Sequence, residues 1–272
     1  MSLIHRLYLM FFGRRYFARF NRLLFMLGLR GMGVYNYQGA SSGERWFVGN
    51  LIATDEVVTV FDVGANVGSY SSQILEFCRN AKVHAFEPHP LNFAKLAQVR
   101  GIESYNLALG NEEASLSLFD YQGAADGSQH ASVFKEVIEG LHKGASTAHK
   151  VRCVRLDEFC KSKDIDSIDF LKIDTEGNEL DVLRGAGALL QDGRIKVIQF
   201  EFNEMNVVSR VYMRDFVNLL SDYELFRLLP SGLLPLTYSP LLCELFAFQN
   251  IVAVAKSASL APFGANLRRW KK

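Results

Sequence analysis

The sequence predicts an α/β domain built on a doubly wound, mostly parallel sheet. From residue 57 onward, apolar β-branched segments alternate with segments of helical periodicity, as in parallel strands covered by helices on both faces. The first apolar segment ends in a glycine-rich turn that opens a helix. The 272 residues, of which 49% are hydrophobic and 22% charged, suffice for one large core and exclude a disordered or collagen-like chain.

The predicted elements follow one another in a regular order. Strands are predicted at residues 57–62, 82–86, 104–107, 168–173, 197–202, 225–229 and 246–255, with a further hairpin strand at 116–119. Helices are predicted at 69–77, 91–98, 179–190 and 212–220. The last two strands flank a Pro-Ser-Gly turn at 230–232 and are expected to be antiparallel. One domain over residues 51–260 follows from this order.

Residues 120–150 interrupt the alternation. The segment is rich in Gly, Ala and Ser and contains three of the six histidines. A segment of this length and polarity is either a lid over a site, with a short helix at 134–141, or a plain insertion.

The net charge of +1 is the sum of opposed parts. Residues 1–43 contain six Arg and no Lys, Asp or Glu, and residues 268–272 contain four basic residues. The stretch 44–267 holds 20 basic and 29 acidic residues. Nucleic acid is therefore not an expected partner, because phosphate contacts need a basic groove around the site.

Residues 1–50 form a basic extension, and residues 261–272 form a basic tail. A helix is predicted over 3–30, with three arginines on one face (Arg15, Arg19 and Arg22) and an apolar stripe beside them (Tyr16, Phe20, Leu23, Leu24 and Leu27). The stripe either packs on the domain or on a second subunit, or lies on an anionic membrane. The apolar run 7–12 is too short to span a bilayer.

The four cysteines indicate a reducing compartment. They lie far apart, with no Cys-x-x-Cys pair and no His at ligand spacing, so neither a zinc site nor a disulfide scaffold is expected. No small-residue cleavage site follows the apolar run. We expect a cytoplasmic protein, with the inner face of the membrane as the location if the extension binds lipid.

The glycine turn after the first strand is a candidate cofactor loop. It runs Asp62-Val63-Gly64-Ala65-Asn66-Val67-Gly68. A nicotinamide-binding turn would need Gly at positions 66 and 69, but these are Asn and Ser. Since the Cβ of Asn66 blocks a pyrophosphate and Asp62 would repel one, S-adenosylmethionine fits better, with Asp62 accepting from its ammonium group.

Acidic residues follow two further strands. Glu87 comes 19 residues after Gly68, where an acid that binds ribose hydroxyls is expected. Lys172 and Asp174 lie on the same side of one strand, and Asp174 should end opposite the glycine turn. Glu176 and Glu179 follow at the strand-to-helix junction, where we expect Glu179 to cap the helix.

Three segments together resemble the FkbM family of S-adenosylmethionine-dependent methyltransferases. They are FDVGANVG at 61–68, AFEPHP at 85–90 and IDFLKIDTEGNELDVLRGA at 168–186. The resemblance covers residues 57–255. It implies a Rossmann-like class I methyltransferase fold, with a seven-stranded sheet that has one antiparallel strand near the C-terminus, and O-methylation of a sugar, glycan or natural-product hydroxyl.

The resemblance also assigns site residues position by position. Asp62, Gly64, Asn66 and Gly68 match the cofactor loop, Glu87 matches the ribose acid, Asn106 to Ala108 match the segment beside the adenine, and Asp174 and Glu176 match the signature acids.

Methyl transfer to a hydroxyl also calls for a general base. The candidates are Asp174 at its strand end, Glu201 at the end of the next strand, and His130, whose ordinary pKa suits the task but which lies in the 120–150 segment.

Three alternative interpretations remain open. Asp174, Glu201 and Asn203 could bind a divalent metal that acidifies the hydroxyl. A nicotinamide-dependent oxidoreductase is disfavoured by positions 66 and 69. A non-catalytic module of the same fold would dock on a membrane or partner through its basic ends.

Overall fold

The computed structural model describes residues 2–37, 41–123, 127–128, 130–256 and 261–270. Its strands are β1 Val58–Val63, β2 Ala81–Phe86, β3 Ile102–Tyr105, β4 Ala108–Leu109, β5 Ala114–Tyr121, β6 Ser146–Val154, β7 Ile168–Ile173, β8 Ile195–Phe202, β9 Tyr223–Leu229, β10 Gly232–Pro235 and β11 Gln249–Ala255. The predicted strands are therefore present, with ends shifted by a few residues.

Eight of these strands form the main sheet, in the order β10-β9-β11-β8-β7-β1-β2-β3. Strands β3, β2, β1, β7 and β8 are parallel neighbours, and β11 runs antiparallel to both β8 and β9. The expectation of seven strands was one too few, because the chain after β9 turns back as the short antiparallel β10.

The helices are α1 Leu3–Phe12, α2 Ala18–Gly31, α3 Glu44–Phe47, α4 Ser69–Phe77, α5 Pro90–Leu96, α6 Leu156–Ser162, α7 Glu179–Gly185, α8 Gly187–Gln191, α9 Met205–Ser209, α10 Met213–Leu219, α11 Pro240–Cys243 and α12 Gly264–Trp270. The single helix predicted at 179–190 is divided at Ala186. None of the helices in the described parts of the chain is long and apolar enough to cross a bilayer.

The parallel strands are buried on both faces. In β1, Phe61 and Val63 belong to the core on one face, and Val58 and Val60 belong to the core on the other. This two-sided burial explains why the strands appear in the sequence as continuous apolar runs instead of alternating patterns.

The 120–150 segment is bounded by paired strands. β5 and β6 pair antiparallel, and β4 adds to β6 to complete a three-stranded sheet. A single π-helical turn, Val137–Leu141, lies within the predicted helix at 134–141. Positions 124–126 and 129 lie outside the described residues.

The predicted helix over 3–30 is broken in the structure. α1 ends at Gly13, Arg14 is extended, and a 3-10 turn at Arg15–Phe17 precedes α2. Glycine favours such an ending because it has a low helix propensity. The break lets the ring of Phe12 contact those of Phe17 and Phe20, at centroid distances of 5.1 and 5.6 Å.

The end of the N-terminal extension belongs to the domain core. Phe47, Val48, Leu51 and Ile52 are fully buried in the cluster that covers one face of the sheet. Of the basic tail, Phe263 and Leu267 pack into the same cluster, and Lys271 and Lys272 lie outside the described residues. The packed domain therefore includes residues on both sides of the predicted 51–260 limits.

Truncating Phe47 should destabilise the whole domain. We expect Phe47→Ala to lower the free energy of unfolding by about 3–5 kcal/mol, because it opens a cavity in the core. Phe25→Ala on α2, where the side chain is 59% exposed, is the control and should change it by less than about 0.5 kcal/mol. Urea denaturation measures both variants. If Phe47→Ala left the free energy of unfolding unchanged, the extension would not be part of the folding unit.

Candidate active site

A cavity of about 410 Å³ lies at the carboxyl ends of the central parallel strands. Its walls come from the segments that follow β1, β2, β7 and β8. The sheet order reverses between β1 and β7, and ligands of open α/β sheets bind in the crevice at such a switch point. The cavity is therefore the candidate site.

The loop after β1 is held close to β7 by a glycine. Gly64 has φ +80°, and a Cβ there would lie 1.7 Å from the carbonyl oxygen of Asp174. The amide of Asp174 donates to the carbonyl of Val63 at 2.9 Å. Only glycine permits this approach, which brings the ends of β1 and β7 together as the sequence predicts.

Glu87 fastens the same loop from the other side. One carboxylate oxygen accepts from the amide of Asn66 and the other from the amide of His89, both at 2.8 Å. Burial raises the pKa of Glu87 to about 7, against the lowering effect of these two bonds. Each oxygen keeps a lone pair for a further donor, and Glu87 lines the cavity.

The ammonium of Lys172 lies among carboxylates beneath the cavity. Its Nζ is 2.9 Å from Asp174 Oδ2 and 3.8 Å from Asp62 Oδ1. Burial opposes the charged form, but Asp174, Asp62 and Glu44 outweigh it and raise the pKa of Lys172. Asp174 is thereby fixed at the cavity wall, with its side chain 32% exposed.

A polar network continues from Lys172 into the N-terminal segment. The ring of Tyr70 lies 5.1 Å from Lys172 Nζ, and its hydroxyl donates to Gln199 at 2.6 Å. The amide of Gln199 donates to Glu44 Oε1 and to Asn250, both at 3.0 Å. Residue 44 thus contributes to the electrostatics beneath the cavity, although it precedes the predicted domain.

The 120–150 segment covers the cavity and brings a histidine to it. His130 Nδ1 lies 3.0 Å from Glu176 Oε1, and this hydrogen bond raises the pKa of His130. Ser132 Oγ donates to the carbonyl of Glu176 at 2.8 Å. Glu176 has φ +54°, a conformation that a residue with a Cβ adopts at a cost and that is concentrated at functional sites.

The segment is anchored at a second point. Asn92 donates to the carbonyl of Ser128 at 2.8 Å, and His89 Nε2 lies 3.2 Å from Asp120 Oδ2, with both side chains buried. Because His89 and Asn92 follow β2, these contacts attach the 120–150 segment to the loop and helix after that strand.

Glu201 also lines the cavity. Burial, followed by the charges of Asp174 and Glu176, raises its pKa well above the ordinary value. Asn203 donates to Glu201 Oε2 at 3.3 Å and accepts from the amide of Met205 at 3.0 Å. Within the described residues, no group of three or more His, Cys, Asp or Glu side chains is arranged to hold a metal ion.

Glu179 lies in the first turn of α7, but its carboxylate does not cap the helix as expected and instead binds the turn before it. Its Oε1 accepts from the amides of Thr175 and Gly177, at 2.9 and 3.0 Å. The carboxylate therefore shapes the turn that presents Asp174 and Glu176, and it is absent from the cavity lining.

The structure separates the predicted site residues into two groups. Gly64, Asn66, Glu87, Ala108, His130, Asp174, Glu176 and Glu201 line the cavity, whereas Asp62, Gly68 and Asn106 are not part of its lining. Asp62 is fully buried, accepts from Ser71 Oγ at 2.6 Å and lies 3.8 Å from Lys172 Nζ, so Lys172 connects it to the site. Asn106 donates to the carbonyls of Glu87 and Pro88.

Sequence reasoning missed Tyr37, Phe248 and Glu44. The first two line the cavity, and the backbone amide of Tyr35 donates to the carbonyl of Phe248 at 2.7 Å, which brings their segments together. No local pattern marks either residue. For Glu44 the sequence gives one indication, because it is the first acidic residue of the chain and follows 43 residues that contain no Asp or Glu.

Strand order and site together define the class of protein. A parallel sheet with the switch point between β1 and β7, and with antiparallel β11 inserted between β8 and β9, is the Rossmann-like fold of class I methyltransferases. A family model, the methyltransferase FkbM domain, matches residues 62–223. The chain belongs to this family.

Relatives and solved structures show the same similarity. The chain is 24% identical to 2-O-methyltransferase NoeI of Sinorhizobium fredii, over 70% of this chain and 81% of that protein. It is 29% identical to Methyltransferase 1 of Beauveria bassiana, over 46% of this chain and 57% of that one. An FkbM methyltransferase structure from Methylobacillus flagellatus aligns with a TM-score of 0.43 and 16% identity, over 72% of this chain and 43% of its own.

Removing the Lys172 ammonium should cost more stability at high pH than at low pH. We expect Lys172→Met to lower the free energy of unfolding at neutral pH by about 3–5 kcal/mol, because Asp62 loses its counter-charge. Burial already raises the pKa of Asp62. Its protonation on acidification therefore removes the uncompensated charge, and the loss should shrink between pH 8 and pH 5.

Lys82→Met, at an exposed position of β2, is the control for this measurement. Its effect should be small at both pH values. A loss for Lys172→Met that is equal at pH 8 and pH 5 would contradict the electrostatic explanation.

Proposed function

We propose that the protein is an S-adenosylmethionine-dependent O-methyltransferase that acts on a hydroxyl of a sugar, glycan or natural product. One observation supports this proposal most strongly. Five carboxylates line the cavity (Glu87, Asp174, Glu176, Glu201 and Glu204), and its described lining contains no Lys or Arg. Such a lining favours a ligand with a sulfonium and an ammonium group and disfavours a pyrophosphate.

The residues present fit this cofactor. Glu87 keeps free lone pairs for ribose hydroxyls, and apolar side chains of the cavity lining offer a surface for an adenine (Phe86, Leu107, Ala108 and Val133). When bound, S-adenosylmethionine supplies an electrophilic methyl group. The acids at the ends of β7 and β8 lie where the charged part of the ligand would be stabilised.

The chain's own groups would orient the acceptor and remove its proton. Asp174, fixed by Lys172, is an acceptor for the substrate hydroxyl. His130 Nδ1 lies 3.0 Å from Glu176 Oε1, and the tautomer that donates from Nδ1 would leave Nε2 free to accept a proton. Nε2 has no hydrogen-bond partner among the described residues. A histidine oriented by a carboxylate is a common general base, so we assign proton removal to His130 Nε2 and orientation of the imidazole to Glu176.

Relatives support the acceptor class. Those with specific names include 2-O-methyltransferase NoeI and hexuronic acid methyltransferase AglP of Haloferax volcanii, which is 25% identical over 64% of this chain and 66% of that protein. The first name favours a hydroxyl acceptor and the second a sugar acid, so a hydroxyl of a sugar-containing molecule is the acceptor that we propose. The competing nicotinamide-dependent oxidoreductase would require a pyrophosphate beside five carboxylates.

Glu87→Gln should weaken cofactor binding. Loss of charge-assisted bonds to the ribose hydroxyls is expected to raise the Kd of S-adenosylhomocysteine about 10- to 100-fold, measured by calorimetry. Glu103→Gln, on exposed β3, is the control and should leave the Kd unchanged. Stabilisation of the wild type by a nicotinamide dinucleotide and none by S-adenosylhomocysteine would refute the proposed function.

His130 should titrate above the ordinary histidine pKa, because Glu176 stabilises its charged form. We expect Glu176→Gln to lower the pKa of His130 in an NMR titration. The neutral form is the base, so wild-type methyl transfer should rise with pH through the pKa of His130, and His130→Gln should reduce it by about 10²–10⁴-fold. An unchanged rate in His130→Gln would exclude His130 as the base and leave Asp174 or Glu201.

A further inference from the structure

The first two helices expose an unusual amount of apolar surface. Residues 2–31, which we call the N-terminal helix pair, contain 14 of the 23 large hydrophobic side chains that are exposed in the described chain. The exposed fraction is 79% for Ile4, 95% for Tyr16, 59% for Phe25 and 57% for Leu27. An apolar surface this concentrated marks an interaction site.

The helix pair is an ordered element attached to the domain. The hydroxyl of Tyr8 donates to Asn21 Oδ1 at 2.6 Å, and Asn21 Nδ2 donates to the carbonyl of Phe12 at 2.9 Å, so α1 and α2 are joined to each other. At the end of α2, Leu29 is buried, and just beyond it the amide of Tyr35 donates to the carbonyl of Phe248 in the domain at 2.7 Å. The exposed apolar side chains therefore lie on two helices that are joined to each other and to the domain.

The charge of the helix pair is uniformly positive. All six arginines of residues 1–43 lie within it, and this stretch has no acidic residue. Arg15, Arg19 and Arg22 are exposed, and none of them has an ion-pair partner in the described part of the chain. Exposed apolar side chains beside unpaired arginines are the combination that binds an anionic lipid surface.

The dimensions limit how lipid could be bound. α1 has 10 residues and α2 has 14, which corresponds to about 15 and 21 Å at 1.5 Å per residue. A hydrocarbon core is about 30 Å thick. Neither helix can span it, so the pair would lie in the interface with its apolar side chains among the lipids and its arginines at the phosphates.

A second copy of the chain is a poorer occupant of this surface. In a twofold interface the same patch meets itself, so the arginines of one copy would face those of the other with no acid on either side. From the charge and the exposed side chains we infer that the N-terminal helix pair docks the protein on an anionic bilayer.

Docking would also place the candidate site close to the membrane. Tyr37 comes six positions after Gly31, where α2 ends, a distance of at most about 20 Å. Tyr37 lines the cavity, and its ring contacts that of Phe248 at a centroid distance of 6.4 Å. The helix pair is thus connected to the cavity wall by a short segment of chain.

Co-sedimentation of the full chain with vesicles tests the inference. Vesicles with about 30% phosphatidylserine should bind the wild type, and pure phosphatidylcholine vesicles should bind it much less. Raising the salt from about 0.1 M to about 0.5 M should weaken the binding. The triple variant Arg15→Glu, Arg19→Glu, Arg22→Glu should lower the partition coefficient at least about 100-fold.

A matched triple variant controls for net charge. Arg79→Glu, Arg100→Glu and Lys161→Glu change exposed residues of the body and should bind the anionic vesicles within about threefold of the wild type. All substituted side chains are exposed, so the Tm of both triple variants should equal that of the wild type. Equal losses in the two triple variants, or no binding by the wild type, would overturn the inference.

Substitution of the apolar side chains provides an independent test. Leu23→Ser with Leu27→Ser should also reduce vesicle binding, because these residues would enter the lipid. Sedimentation velocity without lipid detects the competing occupant. A wild-type dimer that this double variant dissociates, together with no vesicle binding, would assign the surface to a second copy and overturn the inference.

Discussion

The buried ammonium of Lys172 is the interaction on which the candidate site depends. Removing a carboxylate from water costs several kcal/mol, and Asp62 has no solvent exposure at all. The ammonium lies 2.9 Å from Asp174 and 3.8 Å from Asp62. Its charge offsets the cost of burying the Asp62 carboxylate. It links the end of β7 to β1, and through Tyr70 and Gln199 it reaches Glu44. One positive charge therefore fixes the position of the acid that lines the cavity.

Backbone conformation provides the second constraint. Gly64 allows the β1 loop to touch the end of β7, and Glu176 takes a left-handed conformation that directs its carboxylate to His130. Local strain of this kind persists only where surrounding contacts enforce it. Glu179 supplies such contacts by accepting from the amides on both sides of Glu176. The 120–150 segment contacts this turn through His130 and Ser132.

Much of this arrangement could be predicted from sequence, because it is encoded locally. Apolar runs and helical periodicity predict β7 and α4 with the ends that the structure shows. The spacing from Gly68 to Glu87 predicts that Glu87 ends the strand next to the one that ends near Asp62. The remaining features depend on contacts between distant residues. The Glu44–Gln199 bond spans 155 positions, and the approach of His130 to Glu176 depends on how the covering segment folds back. The ligand contact predicted for Asp62 stays a prediction, and the sequence does not show that Lys172 and Ser71 adjoin its carboxylate.

A crystal structure with S-adenosylhomocysteine tests the central claim most directly. The claim is that the acidic cavity at the carboxyl ends of β1, β2, β7 and β8 is a cofactor site with Asp174 beside the reacting centre. We predict ribose hydroxyls within hydrogen-bond distance of Glu87, the adenine against Leu107 and Ala108, and the sulfur directed toward Asp174. A ligand bound outside this cavity, or bound with its adenine toward Asp174, would contradict the account.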